Sequence, residues 1–322
     1  MRERIDMANN SENLPFLTGG QLGMLLSWPA AVEVLRRAVL ARESQGIGND
    51  ALRTSFATRA GEILLMPAEA GDFAGVKLVS VNDGRSGRDV PRIQGLYVLF
   101  DSATLTPVGL LDGVVLTQIR TAAMSALAVD HLAVPKAERL VVVGSGRQAY
   151  GHVHSISAVR PIREVRVLGR TAGGVAELVR RLRAENVPAE VGTSDDLRRA
   201  DIVACCTTAR TPLFDSASLA ADATVVAVGS HRPDAREVDT RLVATATVVV
   251  ESMTSAMAEA GDILLAIADG VPERDAIDGT LVELVTGRLV ADPLAPRLFK
   301  SVGEAWADLA IAAAAFRGGV PG

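Results

Sequence analysis

Aromatic residues make up only 3% of this chain, and lysine is rarer still: of 33 basic residues, just Lys77, Lys136 and Lys300 are not arginine. With so few rings, a net charge of −5 and no Lys/Arg-rich block, a nucleic-acid partner is excluded, since that needs a basic stripe or stacking aromatics. Long apolar runs are missing too. The segment around Thr247 to Val250 falls far short of the roughly 20 residues of a membrane-spanning helix, so no membrane partner is expected. The first residues, MRERIDMANNSENL, hold no apolar stretch of the kind a secretory leader needs and read as a solvated N-terminus. Cysteine occurs only as the neighbours Cys205 and Cys206. Adjacent cysteines cannot easily bridge each other, so they read as two small core residues of a reduced, cytoplasmic chain.

What is present is enough apolar sequence, 48% of 322 residues, for two domains with sizeable cores. From about residue 139 the pattern alternates strand and helix. Near-continuous β-branched strands fall at 139–143, 164–168, 201–206, 224–229 and 246–250, with helices such as 173–186 between them and Ser194 offered as a helix cap. That alternation predicts a parallel sheet covered on both faces. The N-terminal part reads as α+β. It has a helix at about 29–43, strands at 61–66, 75–82, 94–101 and 107–111, and a long Ala/Leu helix at 117–133. The Ala-rich C-terminal segment EAWADLAIAAAAF is too bland to stand alone in water and is expected to pack on the first domain or on a second subunit. The fold class is therefore α/β: a parallel-sheet domain at 123–303, plus an α+β domain formed by 1–122 with 304–322.

The strand RLVVV runs into Gly144-Ser145-Gly146-Arg147-Gln148-Ala149, which fits G-x-G-x-x-A. The first glycine allows the tight turn, and the second lets backbone approach a pyrophosphate. The small third residue lets helix and strand pack closely, with the anion on the helix N-terminus. A bare match is weak; directly after a strand and ahead of an α/β alternation, it predicts a dinucleotide site. An NAD site normally carries Asp or Glu at the end of the second strand. Here that strand ends Leu168-Gly169-Arg170-Thr171, and Arg170 with Thr171 could receive a 2′-phosphate, so NADP(H) is preferred and NAD(H) remains possible.

Lys77 lies inside the apolar strand GVKLVSV. It either snorkels to solvent or has a task, because desolvation lowers a lysine pKa into a range useful for proton transfer. Arg120 is a lone charge on the bland 117–133 helix, and Arg53 opens another strand-like run. Two guanidiniums and an ammonium, if they converged, would suit a small carboxylate.

Blocks along most of the chain resemble the ornithine cyclodeaminase/mu-crystallin family. They are Arg53, LLMPA at 64–68, GVK at 75–77, LLDGVVLTQIRTAAMSALA at 110–128, VVVGSGRQAYGH, GRT at 169–171, AVGSHRPDAREVD at 227–239, EAGDI at 259–263 and FKSVG at 299–303. The resemblance implies a homodimer built from a Rossmann-type NAD(P)-binding domain at 123–303 and an α+β substrate-binding and dimerisation domain formed by 1–122 with 304–322, in which Arg53, Lys77 and Arg120 hold the carboxylate and reacting nitrogen of a small imino or amino acid, with Lys77 as proton partner. It implies cofactor contacts from Gly144 to Ala149, Gly169, Arg170, Thr171, Thr207, Val228, Gly229, Ser230 and Ser301. Arg92 stands where related chains have a small polar residue near the ligand.

One departure is informative. Cyclodeaminases of the family carry an Asp two residues before the motif proline; counting back from Pro233, this chain has His231. The ketimine reductase-like members also lack that Asp, and hydride transfer to an imine needs no such carboxylate. His231 is either a second acid/base group or a polar loop residue. His152 and His154 have no evident third ligand, and no metal site is expected. The resemblance thus implies an NADPH-dependent reductase of a small 2-imino acid such as Δ1-pyrroline-2-carboxylate or Δ1-piperideine-2-carboxylate. The alternatives are an ornithine cyclodeaminase, an alanine dehydrogenase or iminosuccinate reductase-like enzyme, and a non-catalytic NADPH-dependent binder.

Overall fold

The structure is a computed structural model that describes residues 14–45, 52–82 and 91–319. The N-terminal stretch read as solvated lies, but for its last residue, outside the described residues. The chain begins β1 (Phe16–Leu17), α1 (Gly19–Leu25), α2 (Trp28–Gln45), β2 (Thr54–Thr58), β3 (Gly61–Ala70) and β4 (Phe73–Asn82). Next come β5 (Ile93–Asp101), β6 (Pro107–Asp112), α3 (Gly113–Leu132), β7 (Arg139–Val143), α4 (Arg147–Ser157), β8 (Glu164–Leu168), α5 (Ala172–Ala184) and β9 (Ala189–Val191). Then follow β10 (Ile202–Cys205), β11 (Thr224–Ala227), α6 (Thr240–Thr245), β12 (Thr247–Val250), α7 (Met253–Glu259) and α8 (Gly261–Ala268). It ends β13 (Gly279–Thr280), α9 (Leu281–Val285), β14 (Arg297–Lys300) and α10 (Ala305–Gly319). Two compact units result: Met1–Val34 with Asn49–Arg120 and Glu304–Gly322, and Leu35–Gly48 with Thr121–Gly303.

The first unit is built on a six-stranded sheet ordered β1-β6-β5-β4-β3-β2, antiparallel except where β1 joins β6. Side chains alternate across a strand, so pairing of Lys77 with Met66 and Tyr97 puts those three on one face with Leu64, Val79 and Leu99, all buried. The Ala-rich α10 packs on β3, β4 and β5, so the C-terminal segment returns to the first unit. Its Phe316 meets Phe73 edge-on at 5.9 Å. The opposite face carries Phe56, Ile63 and Leu96, which are exposed.

The second unit holds an all-parallel sheet ordered β13-β12-β14-β11-β10-β7-β8-β9. Its central strands β10 and β11 are buried along their whole length, as near-continuous apolar runs covered on both faces require. Register places Val143 opposite both Leu168 and Cys205, Cys205 opposite Ala227, and Ala227 opposite Lys300. The carboxyl ends of β8, β7, β10, β11 and β14 therefore finish in line.

Three local expectations need correction. The cap before residues 194–199 is Thr193, not Ser194: Thr193 has extended backbone and donates its N–H to Asp196, three residues on, at 2.7 Å. Cys205 is core, but Cys206 is the first residue beyond β10 and only half-buried. The short strands β9, β13 and β14 were not anticipated, and two of the expected strands end earlier, at Cys205 and Ala227.

Candidate active site

In the first unit, β4, α3 and α10 bring Lys77, Arg120 and Asp308 together out of solvent. Lys77 does not snorkel. Its Nζ lies 2.7 Å from Asp308 Oδ2, and Arg120 Nε donates to Asp308 Oδ1 at 3.0 Å. Burial, the Arg120 charge and the Arg53 charge all disfavour the ammonium, while Asp308 favours it; the balance brings Lys77 down from 10.5 to about 7. Lys77 and Arg120 share a single carboxylate, and the Arg53 charge also acts on Lys77, so the cluster is electropositive and suits a carboxylate guest. Beside it, the Tyr97 hydroxyl is buried without a hydrogen-bond partner among the described residues, and burial with the Asp308 charge raises its pKa. Gly75 makes room for that ring, since a Cβ there would stand 2.3 Å from the hydroxyl. Sequence reading overlooked Asp308 and Tyr97. The available signal for Asp308 was a lone acid within an apolar helix. Arg92 is exposed ahead of β5; its carbonyl accepts from the Asn82 N–H at 2.7 Å, and the structure does not bring its side chain into the cluster.

In the second unit, the residues singled out for a dinucleotide all follow the aligned strand ends. Gly144 takes φ +129 and donates its N–H to Leu168 O at 2.7 Å, and a Cβ there would meet Cys206 O at 2.4 Å. Only glycine fits. Ala149 is fully buried, as close packing of α4 requires. Gly146 caps α4 without a side-chain bond, and nothing lies within 4 Å of where its Cβ would be. This leaves an uncapped helix N-terminus beside open space, which fits a pyrophosphate. Ser145 and Thr171 hydroxyls both approach Gly174, each 2.8 Å from its Cβ position. Arg147 and Arg170 are exposed, Gln148 is half-buried, and neither arginine forms an ion pair among the described residues. Thr207 follows β10; Val228, Gly229 and Ser230 follow β11; Ser301 follows β14 and is buried.

His231 is half-buried in the loop after Ser230. His152 is a core residue, with Nδ1 2.8 Å from Gln148 O, Nε2 2.9 Å from Ser125 Oγ, and burial lowering its pKa to about 4. His154 pairs with Glu185 at 2.9 Å. Among the described residues no cluster of His, Cys, Asp or Glu could hold a metal, and no helix is long and apolar enough to cross a membrane.

The chain is similar to known proteins along most of its length. The family model described as "Ornithine cyclodeaminase/mu-crystallin family" matches residues 23–316. A Δ1-pyrroline-2-carboxylate reductase of Bacillus cereus is 36% identical over 265 residues, covering 80% of this chain and 81% of its own. A Δ1-pyrroline-2-carboxylate/Δ1-piperideine-2-carboxylate reductase of Azospirillum brasilense is 32% identical over 301 residues, covering 92% and 93%. The structure of Thermococcus litoralis Δ1-pyrroline-2-carboxylate reductase in complex with NADH and L-proline matches with a TM-score of 0.88 at 27% identity, covering 95% of this chain and 97% of that one.

Proposed function

This chain belongs to the ornithine cyclodeaminase/mu-crystallin family, and from that premise we propose that it reduces the C=N bond of a small cyclic 2-imino acid at the expense of a nicotinamide cofactor. The observation that carries the reading is Lys77, buried against Asp308 and Arg120 and brought to about 7. Relatives named for reduction of Δ1-pyrroline-2-carboxylate and Δ1-piperideine-2-carboxylate support these five- and six-membered rings as substrates. Arg53 and Arg120 take the substrate carboxylate, and Asp308 holds the Lys77 ammonium in place. When bound, the reduced nicotinamide supplies hydride to the imine carbon. Lys77 delivers the proton to nitrogen, so the C=N π bond is exchanged for one C–H and one N–H bond and Lys77 is left neutral. Fixing the carboxylate before proton delivery removes much of the entropic barrier.

Gly144 to Ala149 hold the pyrophosphate, and Arg170 with Thr171 favour NADP(H) over NAD(H), because the end of β8 offers no carboxylate to ribose hydroxyls. The apolar sheet face with exposed Phe56, Ile63 and Leu96 supports a homodimer. Free Cys205 and Cys206 suit a cytoplasmic location.

The test mixes purified protein with NADPH or NADH and each cyclic ketimine, following cofactor absorbance. Consumption with the cyclic imines, and no ammonia or proline from ornithine with NAD+, is expected. Cyclodeamination of ornithine, or tight NADPH uptake with no turnover of any imine, would sink the reading. Lys77→Met is expected to lower turnover by at least ~100-fold, the scale of a lost proton donor, with NADPH affinity unchanged.

A further inference from the structure

Inside the second unit lies a cluster of three charged side chains that the reaction above does not use. Glu237 and Asp262 are fully buried and Lys300 is 1% exposed. Lys300 ends β14. Its Nζ lies 2.8 Å from Asp262 Oδ2 and donates to Ser230 O at 2.7 Å. Asp262 Oδ1, in the first turn of α8, accepts the N–H groups of Glu237 at 2.6 Å and Val238 at 3.0 Å. Glu237 in turn receives three donors: Thr207 N–H at 2.8 Å and Thr207 Oγ1 at 2.7 Å on Oε1, and Gly229 N–H at 2.7 Å on Oε2. The segments after β10 and β11 are thus fastened to one carboxylate. They also touch directly, since a Cβ on Gly229 would lie 1.9 Å from Thr207 O.

This expense needs a reason. Taking two carboxylates and one ammonium out of water costs several kcal/mol per ion before pairing offsets it, and an apolar core would hold a sheet as well. The bonds go to backbone just past strand ends, at the edge where an open parallel sheet binds ligands. In that sheet Gly144 to Ala149 follow β7, and the ribose-side residues Gly169 to Thr171 follow β8. On the reading proposed above, the nicotinamide half of the cofactor then lies on the other side of β7, towards β10 and β11, where Thr207 and Gly229 are.

We propose that Glu237, braced by the Lys300–Asp262 pair, is a positioning residue that fixes the Thr207 and Gly229 segments as the nicotinamide-side wall of the cofactor site. The inference rests on the dinucleotide part of the proposed function and not on the identity of the imine. A carboxylate is needed because it accepts on both oxygens. In Glu237→Gln one oxygen becomes an NH2 that faces an N–H, so one of the two segments loses its tether while side-chain volume is kept.

The test titrates wild type and Glu237→Gln with NADPH and with 2′,5′-ADP, a fragment that lacks the nicotinamide. NADPH affinity is expected to fall about tenfold or more, the scale of one lost hydrogen bond to a buried charged group, with the 2′,5′-ADP affinity within about twofold. Unchanged NADPH affinity overturns the proposal; so does a parallel loss of both ligands, which would mark a merely structural residue. Should Glu237→Gln fail to fold, Thr207→Val removes the hydroxyl's bond to Glu237 along with the one it accepts from the Ala209 N–H at 3.1 Å, and is expected to give a smaller loss for NADPH alone, equal losses or none again being fatal. Wild type that binds both ligands yet reduces no imine would sink the reaction and leave this inference standing. Wild type that binds neither would overturn it.

Discussion

At the scale of single residues, the Lys77–Asp308–Arg120 group makes a pH prediction whose sign can be worked out. Lys77 must be an ammonium to give its proton to an imine nitrogen. With burial first among the causes that bring it to about 7, the ammonium predominates below that pH and is lost above it. The expected kcat/KM for imine reduction falls as pH rises through about 7, and oxidation of the amino acid rises over the same range. Asp308 is the only one of the cited charges that raises this pKa. Asp308→Asn is therefore expected to move the limb to lower pH. It also strips the shared counter-charge from two buried cations, which costs about 3–5 kcal/mol of stability when a buried pair is broken. A pH profile together with urea denaturation of the variant checks both. An alkaline limb that stays put would show that Lys77 does not set it.

Elements show what could be read from the chain in advance and what could not. The strands at 139–143 and 164–168 were legible to the residue, because the apolar run of RLVVV and the period-two alternation of EVRVL, each followed by Gly, have few other readings. β14 was not. Its sequence RLFK is bounded by charges, and tertiary partners hide them: Arg297 Nη1 donates to Asp222 O at 2.5 Å and Lys300 pairs with Asp262. Convergence is likewise invisible in spacing, as Arg120 and Asp308 are 188 residues apart yet bonded. The β7–α4 turn, by contrast, could be argued glycine by glycine, and it yields a paired prediction. Gly144→Ala forces a Cβ onto Cys206 O at φ +129 and is expected to destabilise the protein by about 1–3 kcal/mol, the scale of a strained backbone position. Gly146→Ala meets nothing and is expected to leave the melting temperature nearly unchanged while weakening NADPH binding, because there the space is wanted by ligand rather than protein. Thermal melts and cofactor titration of the two variants separate the roles. A Gly146→Ala protein with native NADPH affinity would remove the pyrophosphate from that position.

For the whole molecule, the question is what lies against the outer face of the first unit's sheet. Its inner face is filled by α10, so period-two alternation should leave polar residues outside. Instead, Phe56 is 65%, Leu96 43% and Ile63 38% exposed, with Leu78, Val98 and Phe100 half-buried alongside. A net charge of only −5 on 322 residues offers little repulsion between copies. Moving one such side chain fully from water into an interface contributes about 1.5–3 kcal/mol, so several together can exceed the cost of association. Leu96→Asp places a charge on that face, on β5, where Leu78 is its cross-strand partner and the Lys77 side chain points the other way. Sedimentation equilibrium is expected to give twice the chain mass for wild type and the single-chain mass for Leu96→Asp, with the Lys77 environment preserved. A wild-type monomer, or a variant that remains a dimer, would show that this face is not what joins two copies.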